Sequence, residues 1–192
     1  MPRQADPARR AKILAVARNL FHERQYAHTT MAEIAAAAGM GVGSLYVYFP
    51  TKEAIAATLV ERYFAELHEV IVPPLRDLVG AEAISQALAA GIKSAERNID
   101  VVALLRVIPP RHVLPERQRL LEAIERAVER QIHQGHFRSL DPRFLTEWIN
   151  AQVEWVIIRC LIERTAEIED DLRQLTDVIV AAIAQPTSAT GA

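Results

Sequence analysis

With a single cysteine, Cys160, in 192 residues, the chain can form no internal disulfide, which fits a reducing compartment. That thiol lies in an apolar helical stretch, where burial as a small hydrophobe is expected rather than redox sensing. Although 51% of the residues are hydrophobic, no stretch approaches the roughly 18–20 uninterrupted apolar residues that span a bilayer. The start, Pro2-Arg3-Gln4-Ala5-Asp6-Pro7-Ala8-Arg9-Arg10, lacks the apolar run and cleavage site of a secretion signal. A cytoplasmic protein without membrane partners is therefore expected. Strand-like alternation is missing, as is the Gly-Lys-Ser/Thr of a phosphate loop. No Ser-His-Asp order or loop of paired carboxylates points to catalysis, and no cofactor is expected. His133 and His136 have no acidic or cysteine partner at metal-ligand spacing, so a surface helix end is expected there rather than a metal site.

The charge is uneven. Residues 1–53 hold seven basic side chains against four acidic ones, a net +3, while the remainder carries fifteen against twenty, a net −5. A basic head on an acidic body suits a protein whose head meets DNA, with Arg3, Arg9, Arg10 and Lys12 forming an arm toward phosphates or the minor groove.

Within that head, residues 30–49 read as two short helices joined by a glycine turn, a helix-turn-helix. Thr30 and Glu33 form a capping-box pattern that starts a helix near Met31. Ile34 and Ala38 face inward, and Ala35 allows a second helix to cross closely. Gly39 supplies the left-handed ending, and Met40 and Leu45 plug the angle. The second helix, over 42–48, exposes small residues and two tyrosines. Arg9, Thr30, Val42, Gly43, Ser44, Tyr46, Tyr48 and Lys52 are the expected DNA contacts, with Val42 and Ser44 touching bases and the tyrosines and Lys52 reaching phosphates. The Gly39-x-Gly41-x-Gly43 spacing follows helical alanines rather than a strand, which argues against a dinucleotide fingerprint.

Periodicity elsewhere is helical, so the fold class is all-α. Asp6-Pro7 caps a first helix with Ile13, Leu14, Ala17, Leu20 and Phe21 on one face. A long helix over 51–72, about 30 Å at 1.5 Å per residue, is expected to end at Pro73-Pro74. Further helices are expected over 81–98, 100–108 and 115–134, then from Asp141-Pro142 to about residue 164, and a last one carrying Leu172 to Ile183.

The stretch from Ile13 to about Ala57 resembles the tetracycline-repressor-like (TetR) family of bacterial transcriptional regulators. The resemblance rests on Ala17-Arg18-Asn19-Leu20-Phe21, Thr29-Thr30, Ile34-Ala35, Ala38-Gly39, Ser44-Leu45-Tyr46, Tyr48-Phe49 and Thr51-Lys52-Glu53. Two departures stand out. Gln25 occupies a position where the family usually has glycine, at an expected cost of about 1 kcal/mol. Gly41 replaces the usual capping serine or threonine and removes one hydroxyl from the DNA-facing surface.

The resemblance implies an N-terminal helix-turn-helix domain over 1–53, an effector-binding and dimerisation domain over 54–185, and a short tail over 186–192 expected to be disordered. It also implies a ligand-responsive repressor that binds a palindromic operator as a homodimer. An apolar or amphipathic effector is expected among Tyr63, Phe64, Leu67, Leu88 and Leu105, with Ile124, Trp148, Gln152 and Trp155 completing the pocket. The implied dimer pairs the last two helices with their symmetry mates, through Val153, Val156, Ile157 and Cys160 on one and Leu172, Leu175, Val178 and Ile179 on the other. Ordinary core packing explains those stripes equally well. A helical ligand carrier without DNA binding and an effector-independent regulator stay open as alternatives.

Overall fold

The computed structural model describes residues 6–109, 114–163 and 168–183, and every regular element of any length among them is an α-helix. The helices are α1 (Pro7–Arg24), α2 (Met31–Ala38), α3 (Val42–Tyr48), α4 (Lys52–Asp77), α5 (Gly80–Arg97), α6 (Ile99–Leu104), α7 (Leu114–His133), α8 (Pro142–Glu163) and α9 (Ile168–Ile183). The tail over 186–192 and the side chains of Cys160 and Leu172 lie outside the described residues. Two compact units emerge, Met1–Phe64 with Asn98–Glu116, and Ala65–Arg97 with Arg117–Ala192. The first unit thus runs past residue 53 into α4 and takes back α6.

In the first unit, Asp6 caps α1 by accepting from the Ala8 N–H at 2.9 Å, with Pro7 opening the helix. Ile13, Leu14, Ala17 and Phe21 are buried, one residue per turn on one face. Helix α1 packs on α2, whose Ile34, Ala35 and Ala38 are buried, and α2 in turn packs on α3, whose Leu45 is fully buried. Arg18 on α1 grips Asp100 on α6 with two hydrogen bonds, of 2.5 and 2.7 Å, a bidentate geometry with directional strength.

The turn between α1 and α2 is strained and firmly held. Gln25 has φ 65° and ψ 150°, beyond the ordinary left-handed well and in a region that is essentially glycine's. The Thr29 hydroxyl, 1% exposed, reaches both Leu20 O and Gln25 O. Lys52 Nζ donates to Tyr26 O at 2.7 Å and Thr29 O at 2.8 Å. The expected cost of about 1 kcal/mol lies at the lower edge of the about 1–3 kcal/mol that residues held in such regions cost. Gln25→Gly is expected to stabilise the protein by about 1 kcal/mol after the entropy glycine adds to the unfolded chain. Thermal unfolding checks this, with a rise of about 2–4 °C expected for a chain of this size.

In the second unit, neither Pro73 nor Pro74 ends α4, which continues to Asp77. Two adjacent prolines delete two ladder donors, yet the Leu78 N–H still reaches Pro74 O at 3.0 Å. Leu75 is buried with Ala83, Ala87 and Ala127. The amide of Gln131, itself 2% exposed, donates to Leu75 O and Leu78 O at 3.0 and 2.7 Å and accepts from the Gly80 N–H at 3.1 Å. Tertiary burial and this side-chain cap outweigh the local stop signal. A larger core joins Ile84 of α5, Val128 of α7, Leu145 of α8 and Ile179 and Ile183 of α9 around Phe137. Asp141 accepts from the Phe144 N–H at 2.7 Å and so starts α8 where the Asp-Pro pair predicts.

Candidate nucleic-acid interface and interior cavity

The helix-turn-helix is built from local chemistry. The Thr30 hydroxyl accepts from the Glu33 N–H at 3.2 Å while the Glu33 carboxylate accepts from the Thr30 N–H at 2.8 Å, completing the capping box. These bonds, led by the Thr30 N–H and helped by Arg24 at 3.0 Å, hold the Glu33 carboxyl below the usual range. Gly39, at φ 72°, ends α2, and the N–H groups of Gly39 and Met40 close back on Ala36 O and Ala35 O, both at 3.0 Å. This is the paired Schellman ending.

It delivers α3 with Leu45 fully buried as its anchor and Val42, Gly43, Ser44, Tyr46 and Val47 exposed. Val47, at 71% exposure, was missed in the sequence because an apolar residue in an amphipathic helix reads as core. A Cβ at Gly41 or Gly43 would meet nothing within 4 Å. Packing within the chain does not require glycine there, so the bare surface leaves room for a close-approaching partner.

The structure redistributes the remaining expected contacts. Arg9 is exposed and holds only a 3.7 Å ion pair with Asp6, which leaves it able to reach outward. Arg10 turns inward instead, its guanidinium 4.7 Å over the Phe49 ring and 3.4 Å from the Thr58 hydroxyl. The Thr30 hydroxyl spends its hydrogen on Glu33 Oε2 at 2.8 Å and has none left for a phosphate. Lys52, expected at a phosphate, is half-buried in the α1–α2 turn, where its ammonium also sits 4.4 Å over the Tyr26 ring. Two of its three donors are committed to carbonyls there. Burial and then the Glu53 carboxylate push the Tyr26 phenol up to about 12. Tyr48 is half-buried and Tyr46 half-exposed, which makes Tyr46 the more available hydroxyl.

The second unit holds a cavity of about 100 Å³, partly open to solvent. Its walls follow helical spacing: Ile84, Ala87, Leu88, Gly91 and Ile92 from α5, Thr146, Ile149, Asn150 and Val153 from α8, Ile71 and Leu75 from α4, Ile124 and Val128 from α7, with Phe137 from the α7–α8 connection. Of the expected pocket residues, Leu88 and Ile124 line it. Tyr63, Phe64 and Leu105 belong to the first unit, Leu67 is buried elsewhere, Trp148 packs into the core behind, and Gln152 is outside the lining. Trp155 is 59% exposed, with the Arg159 guanidinium 5.0 Å over its ring. Gly91 serves close packing, since a Cβ there would stand 3.0 Å from Ile71 Cδ1.

Several expected dimer contacts face inward. Val156 packs with Ile92 and Leu175, Ile179 is fully buried in the core, and Val153 lines the cavity. Ile157 is half-buried, while Val178 is 59% exposed. Phe144, missed in the sequence, is 62% exposed. Among the described residues no cluster of three or more His, Cys, Asp or Glu could hold a metal, and no helix is long and apolar enough to cross a membrane.

The profile of the family described as bacterial regulatory proteins, tetR family, matches residues 13–59, which takes in most of α1, all of α2 and α3, and the start of α4. The chain is 29% identical over 163 residues to the HTH-type transcriptional repressor DhaR of Mycobacterium sp. (strain GP1), covering 77% of this chain and 80% of that protein. It is 27% identical over 164 residues to the HTH-type transcriptional repressor KstR2 of Rhodococcus jostii (strain RHA1), covering 77% and 79%. The structure of SmeT, a repressor from Stenotrophomonas maltophilia, shares the fold with a TM-score of 0.78 at 24% identity, over 93% of this chain and 91% of that one. The capping box, the glycine-ended α2 and the exposed α3 all fall within residues 13–59, so this segment is a helix-turn-helix of the kind found in tetR-family bacterial regulatory proteins, and the chain is similar over most of its length to two HTH-type transcriptional repressors.

Proposed function

We propose that the protein is a ligand-responsive transcriptional repressor that binds an inverted-repeat operator as a homodimer, with α3 in the major groove and its effector in the cavity of the second unit. The observation that carries the reading is the exposed face of α3, where bare glycines and outward Ser44, Tyr46 and Val47 surround a buried Leu45 anchor. Hydroxyls and apolar groups there suit base edges and thymine methyls, and Arg9 supplies a phosphate contact. The outward Phe144 and Trp155 of α8 and Val178 of α9 fit pairing with a second copy.

Two copies must set their α3 helices about 34–36 Å apart to enter successive major grooves, so small shifts matter. Helix α4 contributes Ile55 and Val60 to the core of one unit and Ile71 and Leu75 to the cavity of the other. A ligand that prefers one arrangement of α4 changes DNA affinity by its ratio of affinities for the two arrangements. Incubating the purified protein with sheared genomic DNA of its host at two salt concentrations, then sequencing the bound fragments, tests the reading. A short inverted repeat retained at the higher salt is expected. Absence of any enriched sequence at both would favour a ligand carrier whose helix-turn-helix serves packing alone.

A further inference from the structure

The cavity is nearly all apolar, with one orphaned polar atom. Thr146 lines it, is 3% exposed, and its Oγ1 finds no hydrogen-bond partner among the described residues. A buried hydroxyl without a partner is costly, and a mid-helix threonine ordinarily returns its hydroxyl to the carbonyl four residues back. Asn150 stands one turn further along the same wall of α8 and adds a carbonyl acceptor and an amide donor. The other twelve lining residues carry no polar side-chain atom, and none of the fourteen is ionisable. A charged ligand would surrender its hydration with no opposite charge to meet it. The volume, about 100 Å³, is of the order of the apolar cavity of roughly 150 Å³ known to take a benzene ring.

We infer that the cavity takes a small uncharged molecule, about one ring or an equivalent short chain, whose single hydrogen-bonding group seats on Thr146 Oγ1 with the Asn150 amide beside it. The inference deepens the effector reading above and rests on it. Carboxylates, ammonium compounds and phosphate-bearing conjugates are excluded as ligands held wholly inside.

Four probes on one skeleton test this against the full-length protein near neutral pH: toluene, benzyl alcohol, benzoate and benzylammonium, titrated by calorimetry. Benzyl alcohol is expected to bind about tenfold tighter than toluene, and both ions about 100-fold weaker than the alcohol. Thr146→Val, which exchanges the hydroxyl for a methyl at constant shape, is expected to erase the advantage of the alcohol and keep toluene binding. Thr146→Ser is expected to retain it, and the wild-type series decides the charge question even if the valine variant fails to fold. Either ion binding as well as the alcohol overturns the inference. So does an unchanged alcohol-to-toluene ratio in a folded Thr146→Val protein, or no binding by any of the four.

Release of a DNA duplex selected by the protein, followed by anisotropy, separates the two readings. Discrimination among the probes without release sinks the effector role and upholds the ligand chemistry. Release by charged and neutral probes alike does the reverse.

Discussion

Gln131→Leu is expected to lower the melting temperature by about 10 °C, corresponding to roughly 3–4 kcal/mol lost at about 2–4 °C per kcal/mol. Leucine nearly conserves volume, so the loss comes from hydrogen bonding rather than from a cavity. The Gln131 side chain answers three backbone groups at once, Leu75 O, Leu78 O and the Gly80 N–H. These are a carbonyl from the last turn of a helix already deprived of two donors by Pro73 and Pro74, the carbonyl of the residue just after that helix, and the first amide of α5. Each buried group left unanswered costs about 1–3 kcal/mol. Chemical denaturation with far-ultraviolet circular dichroism measures it, and a loss below about 1 kcal/mol would mean that solvent replaces the glutamine. Because α4 also presents Ile71 and Leu75 to the cavity, the same variant should bind the neutral probes more weakly.

Gln131 also shows where the sequence stops being legible. A Pro-Pro pair after an apolar stripe is a sound stop signal when judged locally, and it failed because its rescuer lies more than fifty positions away. The helix-turn-helix was readable to the residue because its instructions are local: Thr30 and Glu33 three apart, and Gly39 where the left-handed ending falls. Lys52 is the opposite case, since a lysine beside the exposed α3 looks free until the carbonyls of the α1–α2 turn are placed around it.

On α8 and α9 the apolar stripes are legible in the sequence, but which of their residues face outward is not. Successive helical residues are about 100° apart, so Trp155 and Val178 face outward while their neighbours Val156 and Ile179 are buried. Tyr63 and Phe64 stand about two turns before Ile71 on α4 and fall in the other unit, so an apolar stripe alone does not show where along the helix the cavity begins. Thr146 carried no signal at all, because a threonine within an apolar stripe is distinguished only by lacking a partner once everything else is packed.

Val47→Glu is expected to weaken binding to the selected operator by about 100-fold or more at roughly 0.15 M salt, with stability within about 0.5 kcal/mol of wild type. Val47 is 71% exposed and touches the fold so little that its replacement tests the surface alone. It lies one turn beyond Gly43 on the open side of α3 and beside Tyr46. A carboxylate there would face phosphates with no counterion release to gain and no cation to meet it. Val47→Ala separates charge from contact: losing a methyl contact with a thymine costs about 1 kcal/mol, under tenfold in affinity, and should relax preference at one base pair rather than weaken all sequences alike. Competition binding against point variants of the operator distinguishes the two patterns. Substituting Leu45 could not make the distinction, because a fully buried anchor would change the fold and the surface together. If Val47→Glu binds as tightly as wild type, the exposed side of α3 does not enter the groove, and the bare glycines at 41 and 43 would need another partner.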